Sequence, residues 1–575
     1  MAHFNFETHL TRLDQAMRAF GRSDGGEVAR LLQAIGGHAF RDAESLIRFH
    51  EALLFIRAYP QNPASFDAAE ALLSAFADRV DGLCKEGVEP PLFDTVENSG
   101  IAGTTLHGFF SYGIARWLAT RRSNAVEIDW ARIQKTERLG YVLPKVLPLL
   151  EEEALVEQNI PYATWLSSAK GRAGRDLRFL IDCFERSPLS EAEKSRLYDL
   201  LELWIRWTLG RSQSSRTANR RKPRKVFYHS GPLIRRADVS LEKEALTPIR
   251  LEALPLERAT TILDMCRDAT SVRYRELYGI PYGDATSAVR AEVGRGTEIY
   301  LWGLPPERRL PLRAYHAGFT LKNGVPINYI EGISLFERTE LGFNTFYTYR
   351  DGETGWVYAQ AVRVLHHLIG SMCFSLDPYQ IGFNNDEAIQ SGAFWFYRKL
   401  GFRSTQPNLA RLTEAQEAKQ RTEPGYRSSP RILRRLSQAP MIFELPDRGA
   451  QRGEWDRFRI RNIGLAVQRR MAREFGGSAE AIRLASLREV SRALGASLAP
   501  KDAPSRRAVE GLALALALIP ELANWSRDDK DKLRAIVRAK WQKSDADYVR
   551  LVQQHERLRK VMIELGSRPH EAIAF

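Results

Sequence analysis

Paired cysteines are missing from this sequence. Its four cysteines, Cys84, Cys183, Cys266 and Cys373, lie far apart, and no two form a C-x-x-C pair. That spacing fits neither a disulfide framework nor a zinc knuckle, and it points to a reducing compartment. Long apolar runs are missing too. The longest, Ala508–Leu522, is broken by Glu510 and Pro520 and is too short to cross a bilayer. The opening stretch MAHFNFETHLTRLDQAM reads as an amphipathic helix rather than a charged-then-apolar leader, so a cytoplasmic protein with no membrane attachment is expected. H-E-x-x-H, G-x-S-x-G and P-loop motifs are absent, which leaves zinc proteolysis, α/β-hydrolase and NTPase chemistry without support. No metal is expected either: His366 and His367 are adjacent on a helix and so point to different faces.

What is present is a long, basic, ordinarily hydrophobic chain. Its 575 residues exceed a single core, and about three to four domains are expected. A formal net charge of +14 favours an anionic partner: a nucleic acid, a phosphate-rich cofactor, an acidic carrier protein or a membrane surface.

Four regions follow from texture. Residues 1–210 read as all-helical, with helix candidates such as Leu46–Ile56, His107–Leu118 and Ser195–Leu209 and a capping box from Ser190 to Glu193. Residues 211–253 read as a basic linker, because Arg211–Arg236 holds nine Lys or Arg and no acid. Residues 254–446 mix helices with strands. Glu257–Tyr278 is a helix, and Glu298–Leu304, Leu312–Leu321, Pro326–Phe336 and Leu341–Tyr349 are strands, with Lys322-Asn323-Gly324 as a hairpin turn. Trp356–Ile369 is then a helix, Met372–Leu376 a strand, Asp386–Leu400 a helix and Met441–Leu445 a strand. Residues 453–575 read as five helices, with Ser478 and Asp545 as N-caps. The expected class is a multidomain, predominantly α protein with a central α/β domain built on a mixed, mostly antiparallel sheet.

The stretch Ser371–Ser404 carries the chemistry. Ala393, Tyr397, Leu400, Gly401 and Phe402 spell A-x-x-x-Y-x-x-L-G-F after an apolar strand and a Pro-Tyr break. This resembles the last signature helix of the GCN5-related N-acetyltransferase (GNAT) superfamily, and residues 255–445 follow that family's order of elements. The resemblance implies an acyl transferase using acetyl-coenzyme A or a longer acyl-coenzyme A as co-substrate and an amine as acceptor. Tyr397 is then the acid assisting the departing thiolate, and a carboxylate, Glu331 or Glu340, takes the amine proton. Phe346, Tyr347 and Thr348 on the fourth strand would bond the pantetheine. Arg350, Gly352, Thr354 and Gly355 would cradle the pyrophosphate at a helix start. Asn385 stands near the donor or serves as an N-cap. One departure is visible: Glu353 stands where the first glycine of the family's phosphate loop belongs.

Two further readings stay open. A degenerate acyltransferase core could serve a non-catalytic protein that binds a nucleic acid or another partner through residues 211–236. An acyltransferase could also take its acyl group from an aminoacyl-tRNA or an acidic acyl-carrier protein.

Overall fold

The computed structural model describes residues 6–21, 26–85, 90–150, 160–172, 174–446, 453–498, 500 and 503–568. The protein is helix-rich with two sheets among these residues, one of three strands and one of nine. None of its described helices is long and apolar enough to cross a membrane.

Residues 1–210 are not all helical. Strands β1 (Thr105–Phe109), β2 (Val126–Ile128) and β3 (Trp204–Thr208) form an antiparallel sheet in the order β1-β3-β2. The helices expected at His107–Leu118 and Ser195–Leu209 each give way in part to a strand. Leu106 on β1 and Ile205 and Trp207 on β3 alternate with exposed or half-buried neighbours, a period of two rather than 3.6. The capping box does form: Ser190 accepts the Glu193 N–H and starts the Glu191–Leu200 helix. The surrounding helices and this sheet close their own core around Tyr112, Phe184 and Trp207. The helices before Lys85 share the large core beneath the nine-stranded sheet instead.

Residues 211–253 are not a solvated linker. Ser214, Ser215, Arg216 and Thr217 are buried. Thr217 Oγ1 meets His50 Nε2 at 2.8 Å and accepts the Ala102 N–H at 2.9 Å. Five of the nine cations of the run are paired inside the chain: Arg211 with Asp78, Arg216 with Glu51, Arg220 with Glu70, Arg221 with Glu298 and Arg235 with Asp238. Four of the five acids, all but Asp238, lie far from the run in the sequence, which is why local composition suggested free positive charge.

The nine-stranded sheet begins inside this segment, with β4 (Leu251–Ala253) paired to β5 (Val289–Gly294). β6 (Thr297–Trp302), β7 (Ala314–Lys322), β8 (Val325–Leu335) and β9 (Arg338–Thr345) continue as antiparallel neighbours. β10 (Cys373–Leu376) follows the Thr354–Ile369 helix, and β11 (Arg403–Ser404) and β12 (Met441–Glu444) complete the order β11-β12-β10-β9-β8-β7-β6-β5-β4. The pair β9–β10 is parallel, whereas every other pairing is antiparallel.

The β7–β8 turn forms as expected: Asn323 (φ 48°) and Gly324 (φ 79°) occupy the two left-handed positions that Asn-Gly suits. Helices cover both faces of the sheet. Tyr300 and Trp302 of β6 pack under the Leu256–Ser271 helix, while Ile299 and Leu301 join the opposite core with the Thr354–Ile369 helix. Each fully buried side chain of this size stabilises the fold by about 2–3 kcal/mol.

Two expected elements are displaced. The fourth strand of the meander is Arg338–Thr345 rather than Leu341–Tyr349, and Tyr347–Tyr349 is a 3-10 turn. The helix expected over Asp386–Leu400 is two short helices, Asp386–Gln390 and Ala393–Arg398, separated by Gly392 at φ 69°. After residue 453 six helices follow rather than five among the described residues, because the last expected one breaks near Gln554. Ser478 caps as expected, accepting the Ala481 N–H. Asp545 does not: Ser544 caps that helix, and Asp545 is buried 3.6 Å from Lys540. The C-terminal helices are fixed to the sheet by Lys540 Nζ, which donates to Arg313 O at 2.9 Å, and by Tyr548 Oη, which donates to Leu312 O at 2.8 Å.

Candidate functional site

The parallel pair β9–β10 is short. Arg338, Thr339 and Glu340 face Cys373, Phe374 and Ser375, and β10 stops at Leu376 while β9 runs on to Thr345. Beyond Glu340 the outer edge of β9 has no strand beside it. A strand edge carries backbone donors and acceptors that must find other partners.

Gln380 supplies them. It sits on the one-turn Pro378–Ile381 helix, which Asp377 starts by accepting the Tyr379 N–H at 2.8 Å. With the amide turned so that its oxygen faces donors and its nitrogen an acceptor, the nitrogen donates to Leu341 O at 3.0 Å, and the oxygen accepts the Phe343 N–H at 3.3 Å and the Tyr397 hydroxyl at 2.5 Å. Tyr397 is 4% exposed and lies edge-on to Tyr358, with ring centres 5.3 Å apart. Burial pushes its pKa well above the ordinary phenol value, so the hydroxyl stays protonated.

The carboxylates stand on one face of the same strands. In the β8–β9 register Glu331 is opposite Gly342, and Ile333 is opposite Glu340. A Cβ at Gly342 would come within 3.4 Å of Glu331 Oε2, so the carboxylate lies over the bare backbone there. Tyr315 donates its hydroxyl to Glu331 and accepts the Gly279 N–H at 3.2 Å. Burial raises the Glu331 pKa above its ordinary value, the Tyr315 bond opposes that, and Glu340 adds to it. Glu340 lies 4.0 Å from Arg313. The fold therefore places a phenol on the Phe343 side of the β9 edge and two carboxylates on the opposite, Gly342 face of residues 340–343. It brings Tyr397, Glu331 and Glu340 to one short stretch of sheet.

The expected phosphate cradle is closed. Glu353 is 0% exposed, pairs with Lys322 at 3.0 Å and with Arg295, and accepts the Ile234 N–H at 3.1 Å. A carboxylate at the start of the Thr354–Ile369 helix satisfies the partial positive charge that a phosphate would use. Gly352 is pressed against Tyr59, where a Cβ would come within 2.5 Å of the ring, and Gly355 lies against the backbone and side chain of Arg236.

The other expected donor contacts are also occupied. Arg350 pairs with Glu387 at 2.6 Å, and Thr354 Oγ1 donates to Arg350 O at 3.1 Å. Phe346 is buried with the Arg273 guanidinium 4.1 Å from its ring centre, Tyr347 lies under Arg350, and Thr348 donates to Glu51. Asn385 caps the Asp386–Gln390 helix by accepting the Ala388 N–H at 3.1 Å, its structural alternative.

Gln380, Tyr315 and Gly342 were missed as site residues. A Pro-Tyr-Gln turn directly after a short parallel strand is the only local signal for Gln380. Tyr315 and Gly342 become visible only once strand register is known. Among the described residues no cluster of three or more His, Cys, Asp or Glu is arranged to hold a metal ion. Comparisons with protein families, with curated proteins and with solved structures return no match to this chain.

Proposed function

We propose that residues 251–444 form a GNAT-like N-acyltransferase domain that moves an acyl group from a pantetheine thioester to an amine. The observation that carries this reading is the side-chain amide of Gln380 on the free edge of β9, bonded at once to Leu341, Phe343 and Tyr397. A pantetheine arm offers amides of the same kind to such an edge. In the transfer the amine nitrogen attacks the thioester carbonyl carbon, the C–S bond breaks as the C–N bond forms, and the sulfur leaves as thiol. Glu331, its pKa raised by burial and its carboxylate poised over Gly342, accepts the amine proton, with Glu340 beside it. Tyr397 donates to the departing sulfur once the incoming arm has displaced Gln380.

The closed loop at Arg350–Gly355 bears on the donor. A pantetheine presented by an acidic acyl-carrier protein needs no pyrophosphate cradle, whereas acyl-coenzyme A needs one elsewhere. The test is a melting-temperature and free-thiol assay of the full chain with acetyl-coenzyme A, a long-chain acyl-coenzyme A and an acyl-carrier protein. A donor at about a hundred times its Kd adds about 2.7 kcal/mol of stability. No stabilisation and no thiol release with all three donors would defeat the proposal.

A second reading has its own observation. The fully buried Glu353–Lys322 pair, with the half-buried Arg295 beside it, fills the place where the resemblance puts phosphate. A core that has exchanged its cofactor site for internal ion pairs can serve as a non-catalytic scaffold for a partner. It predicts that removing the Gln380 side chain uncovers no thioester binding.

A further inference from the structure

On the sheet face that carries Glu331 and Glu340 lies a cavity of about 470 Å³. Strands β8 and β9 form its floor, and the start of the Ile460–Phe475 helix forms a wall. Four guanidinium groups line it, Arg313, Arg338, Arg459 and Arg461, against two carboxylates, Glu340 and Asp377. Both acids are engaged: Glu340 lies 4.0 Å from Arg313, and Asp377 accepts the Tyr379 N–H. Asp456, nearby, pairs with Arg403 through Oδ2 at 2.9 Å, and its charge and that of Glu340 offset only part of the positive charge at Arg338. Arg338, Arg459 and Arg461 have no carboxylate oxygen within 4.0 Å among the described residues.

Arg338 is the most telling of the three. It is 9% exposed. Its Nε donates to Ser375 Oγ at 3.1 Å, and its guanidinium lies 5.6 Å from the Trp455 ring centre and 5.5 Å from that of Phe458. Its two Nη groups have no protein acceptor among the described residues. Arg459 spends one Nη on the carbonyls of Asp456 and Phe458, at 3.0 and 2.7 Å. Burial, and after it the charges of Arg338 and Arg461, push the Arg459 pKa below its ordinary value. The Ile460–Phe475 helix has no side-chain cap, so its first N–H groups add partial positive charge to the same wall. A buried cation without a counter-charge is costly, and an anionic ligand relieves that cost.

We propose that this cavity binds a small molecule bearing a carboxylate or phosphate group, held by Arg338, Arg459 and Arg461 at the start of the Ile460–Phe475 helix. The C-terminal helical region then has a purpose, since it supplies two of the three arginines. On the acyl-transfer reading, and resting on it, the ligand is the acceptor. Glu340 on the cavity floor directly precedes Leu341 on the β9 edge, so the amine end of an anionic acceptor faces the carboxylates.

Calorimetric titration of the full chain with inorganic phosphate, and separately with succinate, at an ionic strength fixed by sodium chloride tests the site. Saturable binding of at least one anion is expected. Phosphate alone identifies a phosphate ester as the ligand class, and succinate alone a carboxylate. Arg461→Gln changes an exposed residue and leaves the fold intact, and it should weaken binding about tenfold or more. Arg338→Gln should abolish binding, with the melting curve reporting that the chain is folded. No saturable binding of either anion, or wild-type affinity in Arg461→Gln, overturns the proposal. Acyl-thioester assays on the same preparation separate the two ideas: anion binding without donor binding keeps this site and discards acyl transfer.

Discussion

The Gln380 side-chain amide joins Tyr397 to the free edge of β9, accepting the phenol proton at 2.5 Å and donating to Leu341 O at 3.0 Å. On the acyl-transfer reading it occupies the position that an incoming donor would take. Truncating it to alanine frees two edge groups and the phenol at once. Gln380→Ala should therefore bind the pantetheine donor several-fold more tightly, with a modest loss of stability of about 1–2 kcal/mol from the unpaired groups. Tyr397→Phe keeps the packing and should lower turnover about 10²- to 10⁴-fold with little change in donor affinity. Binding titrations and single-turnover rates on both variants check this pair. Equal donor affinity in Gln380→Ala and wild type would mean that the amide is merely structural.

Glu353 neutralises one fully buried cation, Lys322, and one half-buried cation, Arg295. Lys322 and Glu353 are each 0% exposed and 3.0 Å apart. Glu353→Gln strands the buried Lys322 charge, and the expected destabilisation is about 3–5 kcal/mol. The double variant Glu353→Gln with Lys322→Met should recover a large part of that loss, because the second change removes the stranded charge. Urea midpoints of the three proteins decide the matter. A Glu353→Gln variant as stable as wild type would contradict the buried-pair account.

Local signals were legible in the residues, and long-range ones were not. The Asn323-Gly324 turn, the Ser190–Glu193 box and the Ser478 and Asn385 caps each depend on a few neighbouring residues, and all form. Within 254–446 the hairpin strands and the Thr354–Ile369 helix were read from such local patterns, whereas the strand Val289–Gly294 and the helices Pro407–Thr422 and Pro430–Leu436 were not. The strand β1 was missed because its partner β3 lies about a hundred residues further on, with Thr105 opposite Thr208. Glu353 looked like a flaw in a phosphate loop because its partners Lys322 and Arg295 are 31 and 58 residues away. The charge of Arg211–Arg236 looked free for the same reason. Tyr397, Glu331 and Glu340 were named from the family resemblance alone, whereas Gln380 needed the geometry of a strand pair that ends early.

Acid should loosen the segment that follows Gly210. His50 is buried, with Nε2 at 2.8 Å from Thr217 Oγ1 and Nδ1 at 3.2 Å from Glu51. Burial pushes its pKa from 6.5 down to about 4, against the pull of Glu51. The unfolded chain thus binds the His50 proton more readily than the folded one between about pH 4 and 6.5. Stability contributed by the neutral ring is present above that window and is lost as pH falls through it. The slope is at most about 1.4 kcal/mol per pH unit. His229, also buried and pushed down to about 3, extends the loss to lower pH. His50→Gln should flatten the dependence of unfolding free energy on pH between 6.5 and 4, and denaturant titrations at several pH values measure it. An unchanged slope in the variant would remove His50 from the account.

The base assignment makes the sharpest kinetic demand, because two neighbours of Glu331 act on its pKa in opposite directions. Tyr315 donates a hydrogen bond that favours the carboxylate, while the charge of Glu340 disfavours it. If Glu331 takes the amine proton, kcat/KM rises with pH through an apparent pKa above the ordinary glutamate value, since burial raises it. Tyr315→Phe removes the donor and should move that limb to higher pH. Glu340→Gln removes the neighbouring charge and should move it to lower pH. Glu331→Gln should lose about 10²- to 10⁴-fold in rate and, with it, the limb itself. Opposite displacements in the two neighbour variants cannot arise from a general loss of packing, which would lower the rate without moving the profile. A limb that stays in place in both would assign the proton transfer to another group.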